Sequence, residues 1–195
     1  MLNGIENLFF YFIFYSVLGW VYETVLCSLE AGHGVNRGFL NGPYCPIYGL
    51  GATAFLLLLG REQSIILIFL FGAIIACTVE YLTSYAMEKA FRARWWDYSN
   101  QPFNLNGRVC LGAGATFGLF AVLLIKVIHP AVSSVFSGID KTVFLFLDGA
   151  AAVVFLLDLV ITLKGFAGFH KRKESTPLTR QQERLIKAFP TLKMK

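Results

Sequence analysis

Long apolar runs, broken by short polar and glycine-rich stretches, set the pattern of this chain. Four runs, residues 7–29, 64–87, 109–128 and 142–163, approach or exceed the ~20 residues that a bilayer-crossing helix needs. A fifth, residues 46–60, is short and rich in glycine. It is expected to gain length from the preceding GPYC segment, with Pro43 in its first helical turn. The pattern therefore predicts an all-α integral membrane protein with about five transmembrane helices. Residues 1–165 form the transmembrane domain, and residues 166–195 a basic cytoplasmic tail. The first run lacks a basic leading segment and a small-residue cleavage site, so it reads as a retained span. In the tail, Thr179 is a helix start signal, followed by apolar Leu185, Ile186 and Phe189. A short cytoplasmic or interfacial helix that touches lipid is expected there.

Composition agrees with the pattern. Hydrophobic residues make up 56% of the chain and charged residues 15%, more apolar surface than a soluble domain of this length can hide. The net charge of +5 follows the membrane edges and the tail, so it reads as topology and anionic-lipid contact, with no nucleic-acid partner. Of the 17 Lys and Arg residues, all but Arg61, Lys126 and Lys141 fall on one side if the N-terminus lies outside. The positive-inside rule then gives a multi-pass plasma-membrane protein, N-terminus out and C-terminus in the cytoplasm. The cysteines, Cys27, Cys45, Cys77 and Cys110, show no CxxC spacing. Neither a disulfide framework nor a metal site is implied, and no cofactor.

One phrase occurs twice. Residues 40–53 read LNGPYCPIYGLGAT and residues 105–116 read LNGRVCLGAGAT. Each follows a span with one glutamate, Glu23 or Glu80, and each leads into the next span. Spans 1–2 and 3–4 thus read as parallel repeats about a pseudo-two-fold axis along the membrane normal, an arrangement common in transporters. The GxGAT starts of spans 2 and 4 are expected to cross closely, because small residues let backbones approach.

Charge inside a span is expensive and usually functional. At 1.5 Å per residue, Glu23, Glu80 and Asp158 each lie roughly 22–24 Å from the outer end of their span, in one inner layer. Asp148 stands apart. Three carboxylates at one depth need cations or protons, and Arg37, Arg94 and Arg108 lie in the loops just below. Folding salt bridges and a polar cavity are both open readings of that layer. The loops NRGFLNGPYCPIYG (36–49) and RARWWDYSNQPFNLNGR (92–108) are rich in helix breakers and can fold back, re-entrant-like, where protein covers them. Trp95, Trp96 and Tyr98 fit an interfacial aromatic belt. Arg94, Asp97, Asn104 and Arg108, interleaved with them, fit the mouth of a cavity instead.

These residues resemble a known family. The strings GW..E (Gly19, Trp20, Glu23), NRGFL.GP.CPIYG.GA (36–52), R.WDYS (94–99) and N.NGR.CL (104–111) look like the CmpB-type family of small bacterial membrane proteins, labelled ABC transporter permeases of type IV. The resemblance runs over residues 19–118. It implies transport as a class and supplies no substrate. No GxxxxGK[ST] is present, so any ATPase belongs to another chain.

Three functions compete. A transporter or permease component would use an acidic inner-leaflet cavity open to the cytoplasm. Its candidate binding residues are Glu23, Asn36, Arg37, Cys45, Tyr48, Glu80, Arg94, Trp96, Asp97, Asn104, Asn106, Arg108 and Asp158, with Glu23 and Glu80 as proton carriers. A membrane enzyme acting on a lipid headgroup would use Cys45 as nucleophile, with Arg37 or Arg94 on a phosphate. His33, His129 and His170 make no plausible dyad with Cys45, so the reading leans away from an enzyme. A regulatory or scaffold subunit is the third. The expected partners are membrane lipids, with a separate ATPase subunit or a homo-oligomer.

Overall fold

The computed structural model describes residues 7–167, 180–189 and 193–194. Helix α1 (Leu8–Ala31) ends at Gly32, whose φ of 69° only glycine adopts without strain. Helix α2 (Pro46–Leu59) runs back, and α3 (Ile65–Phe91) runs parallel to α1. A loop with short strands β1 (Ala93–Arg94), β2 (Asn104–Leu105) and β3 (Val109–Cys110) precedes α4 (Leu111–Leu123). Helix α4 continues through a π-helical turn, Leu124–Ile128, into α5 (His129–Phe136). Pro130 lacks the N–H that a regular ladder requires, and the wider turn lies just before it. Helix α6 (Lys141–Ala167) returns to the loop face, where α7 (Arg180–Ala188) and β4 (Lys193–Met194) lie, β4 pairing with β1.

Among the described residues, four helical stretches are long and apolar enough to cross a membrane: Leu8–Ala31, Ile65–Phe91, Leu111–Phe136 and Lys141–Gly165. This is a membrane protein. The third stretch extends past the expected end at residue 128, and α6 past the expected end at residue 163. Helix α2 has 14 residues, about 21 Å of rise, and falls short of span length. The GPYC segment does not lengthen it. Pro46, not Pro43, takes the first helical position, with Cys45 at the N-cap.

Packing follows a stripe of every fourth residue. In α3 the buried positions are Ile68, Gly72, Ala76, Glu80 and Ser84. Helix α4 answers with Gly114, Gly118 and Ala121. A Cβ at Gly118 would lie 2.7 Å from the Phe69 carbonyl oxygen, and one at Gly114 2.9 Å from Cys77 Sγ, so these glycines permit the α3–α4 crossing. In the first hairpin a Cβ on Gly49 would collide with Ser16 Oγ and the Phe12 carbonyl oxygen. Of the GxGAT glycines, Gly49 and Gly114 therefore pack within their own hairpins. The expected α2–α4 crossing is not formed: a Cβ added at Gly51 or Gly112 would meet nothing within 4 Å. Helix α6 flanks this bundle, with only 6% of its span window buried, and leans on α1 through Phe155 against Phe9 and Phe12.

The twin phrases agree in their second halves only. Cys45 and Cys110 both sit at helix N-caps, and Thr53 and Thr116 each bond back to the carbonyl four residues earlier. Their first halves diverge. Asn106 and Gly107 have φ of 54° and 64°, and the Arg108 amide donates to the Leu105 carbonyl at 3.0 Å, a tight turn with two successive positive-φ residues. Pro43 stands where Arg108 stands, and proline has no N–H to close such a turn. Among the described residues with positive φ, neither Asn41 nor Gly42 occurs. The two loop backbones do not share one path.

Candidate functional site

A cavity of about 570 Å³ lies among α1, α2, α3 and α4, with its floor formed by both long loops and Phe189. Its charged lining consists of Glu23, Arg37 and Glu80. Glu23, near the end of α1, accepts from the Tyr48 hydroxyl at 2.5 Å and from Arg37 Nε at 3.2 Å. Tyr48 reaches it because Gly19 has no side chain, and the Tyr48 ring lies against that gap. Glu80 belongs to the buried stripe of α3 and is only 7% exposed. Its Oε1 accepts from the Tyr98 hydroxyl at 3.0 Å, and its Oε2 has no hydrogen-bond partner among the described residues. Cys45, Tyr48 and Trp96 complete the expected residues that line this space.

The other expected residues stand away from it. Asn36 accepts from Trp20 Nε1 at 3.0 Å. Arg94 pairs with Asp97 at 3.4 Å and Glu88 at 3.7 Å, and donates to the Asn106 carbonyl at 2.8 Å. Asp97 also accepts from the Ser99 amide and hydroxyl. Asn104 braces its turn by donating to the Ser99 and Gln101 carbonyls, and Asn106 donates to the Tyr81 hydroxyl. Arg108 binds Glu88 at 2.6 Å and Ser84 at 3.0 Å, and its guanidinium lies over the Tyr81 and Tyr85 rings. These groups build the loop.

Asp158 does not join the two glutamates in the cavity. It accepts from the Asn41 amide and side chain, the Gly42 amide, the Tyr44 hydroxyl and Thr162. Four of these donors come from the first loop and tie it to α6, while Thr162 braces Asp158 from within α6, which makes Asp158 a structural staple. With Asp158 as its acceptor, the Tyr44 hydroxyl has its pKa raised, burial being the larger cause. Asp148 remains apart, partly exposed on α6.

The tail helix is docked on the protein. Leu185, Ala188 and Phe189 bury against Trp95, with Phe39, Met87, Phe91 and Trp96 around them. Arg184 donates to the Gly38 and Phe39 carbonyls, and Arg37 to the Ala188 carbonyl. This corrects the lipid-touching tail. The helix's apolar face covers the loops because Trp95 offers it a buried aromatic surface. The start signal Thr179 and the basic KRK run at 171–173 lie outside the described residues.

The family model described as "Putative ABC-transporter type IV" matches residues 10–163. The chain belongs to this family. No curated protein and no solved structure matches it. Among CmpB-type features, the Gly19 and Glu23 string and the NRGFL loop meet at the cavity, whereas the N.NGR.CL string forms the hairpin beside it. Cys45 is the nucleophile that a membrane enzyme would use. Burial, and after it the Glu23 charge, pushes its thiol up to about 12, which withholds the nucleophilic thiolate. Among the described residues no cluster of ligating side chains fits a metal ion.

Sequence reasoning missed Glu88, Tyr98, Tyr44 and Phe189. For Glu88 the signal was present: the stripe 68–72–76–80–84 runs one step further to 88. Phe189 was legible as an apolar tail residue, though not as part of the cavity floor.

Proposed function

We propose that this chain is the membrane component of a transport system and that the cavity between its two hairpins holds the substrate. The carrying observation is a buried glutamate, Glu80, on the wall of a 570 Å³ space inside the helical bundle, since intramembrane acids that face a cavity mark substrate and ion paths. The positive-inside distribution puts the two long loops and the tail in the cytoplasm, so the cavity belongs to the inner leaflet of the plasma membrane. Helix α2 serves as a short fifth crossing, its ends reaching the interfaces where the loops dip inward. Energy from ATP requires a separate subunit.

A cavity-filling variant tests this against a scaffold role. Val79 lines the cavity on α3. A strain lacking the chain is complemented with wild type or Val79→Trp, and solutes inside and outside the cells are compared by mass spectrometry. Transport predicts a chain-dependent change in partition that Val79→Trp fails to restore at equal membrane abundance. Full restoration by Val79→Trp supports the scaffold reading instead.

A further inference from the structure

The cavity's charge is unbalanced. Two carboxylates face it, Glu23 and Glu80, against the guanidinium of Arg37. Arg37 is already engaged with Glu23 and the Ala188 carbonyl. Among the described residues Glu80 has no cation, and its Oε2 is buried without a partner. Burying an unpaired carboxylate is costly unless a proton or a cation meets it. The walls beside it are aromatic: Tyr48, Trp96, Tyr98, Phe117 and Phe120. The Tyr48 and Tyr98 hydroxyls are donated to the two glutamates, so what these residues add to the lining is aromatic surface.

We propose that the cavity binds an amphipathic organic cation, an amine or quaternary ammonium on a bulky apolar body, with its charge held by the Glu80 carboxylate. Ring faces attract such cations through their quadrupoles, most strongly where water is excluded. The carboxylate fixes the position of the charge, and the apolar remainder of the wall takes the body. The volume of about 570 Å³ suits a ligand of that size, within the ~300–1,000 Å³ usual for small-molecule sites. An anionic headgroup fits poorly, because Arg37, the guanidinium in the lining, is held by Glu23. The substrate class rests on the transport reading above, whereas binding itself does not.

The test uses the purified full chain in detergent and two probes of like shape and opposite charge, tetraphenylphosphonium and tetraphenylborate. Equilibrium binding of labelled tetraphenylphosphonium is expected, with tetraphenylborate failing to compete. Glu80→Gln, which keeps an acceptor for Tyr98, should weaken cation binding at least about tenfold, and Glu80→Asp should retain more of it. Equal binding of both probes, or of the cation alone to Glu80→Gln, overturns the proposal and leaves an apolar lipid groove. If Glu80→Gln fails to fold, the comparison of the two probes on wild type still decides. Absence of cation binding while Val79→Trp still abolishes solute movement overturns this proposal and spares the transport reading. Cation binding with unaltered solute partition in Val79→Trp does the reverse.

Discussion

Arg108 donates to Glu88 at 2.6 Å, two helical turns beyond Glu80 on α3. The pair leaves Glu80 without a cation and fixes the second loop to the end of that helix. Both side chains are largely buried, at 10% and 13% exposure, and removing Arg108 leaves Glu88 with the longer Arg94 contact at 3.7 Å. Arg108→Ala should cost about 1–3 kcal/mol of folding stability, the range for a buried group that loses a hydrogen-bond partner, because the Arg94 contact survives. Thermal unfolding in detergent measures it. A wild-type melting temperature for Arg108→Ala would mean that the pair is solvated.

Asp158 should prove structural. Asp158→Asn replaces one acceptor oxygen with a donor that faces the Gly42 amide or the Tyr44 hydroxyl, leaving a buried donor unmatched. A loss of at least about 2 kcal/mol is expected, with Asn41→Ala costing less because the Gly42 and Tyr44 bonds survive. Cation binding by the folded fraction should be unchanged in both. Loss of binding at wild-type stability would return Asp158 to the site.

Much of the membrane architecture was legible because a bilayer imposes a length and a polarity on every crossing segment. Glu23, Arg37 and Tyr48 were also legible, since an acid near a helix end with an arginine in the next loop leaves few pairings. The matching of Arg108 was not, because Glu80 and Glu88 share one helical stripe and sequence separation does not say which an arginine reaches. The twin phrases misled for a definite reason. Identical Leu-Asn-Gly letters require a fourth residue with an N–H to make the same turn, and Pro43 lacks it. The tail's docking surface was hidden too, since Trp95 could as well have faced the lipid interface as Phe189.

The hairpin packing gives a contrast between two glycines two residues apart. Gly49→Ala should destabilise by ~1–3 kcal/mol, because the new methyl meets Phe12 and Ser16 on α1. Gly51→Ala enters open space within a helix and should be neutral or gain about 0.5–1 kcal/mol. Melting both variants in detergent distinguishes the observed packing from a crossing of α2 with α4, which would make Gly51 the sensitive position.

Docking of the tail is directly measurable. Helix α7 has nine residues, below the ~12–15 at which an isolated helix becomes even marginal in water, so it stays helical only while its apolar face is covered. Phe189 supplies much of that cover. Its ring lies 4.8 Å from Trp95 edge to face, and the Arg37 guanidinium sits 4.3 Å above it. Phe189→Ala removes both contacts and should release α7, exposing the chain after Arg184 to trypsin about tenfold faster than in wild type, the change expected for each ~1.4 kcal/mol of docking lost. The same variant opens the cavity floor, where Cys45 lies. Its thiol is held protonated by burial in the docked protein, so labelling by a maleimide should be slow in wild type and accelerate in Phe189→Ala. Faster proteolysis without faster labelling would separate the tail from the cavity. No change in either rate would place α7 on the lipid surface after all.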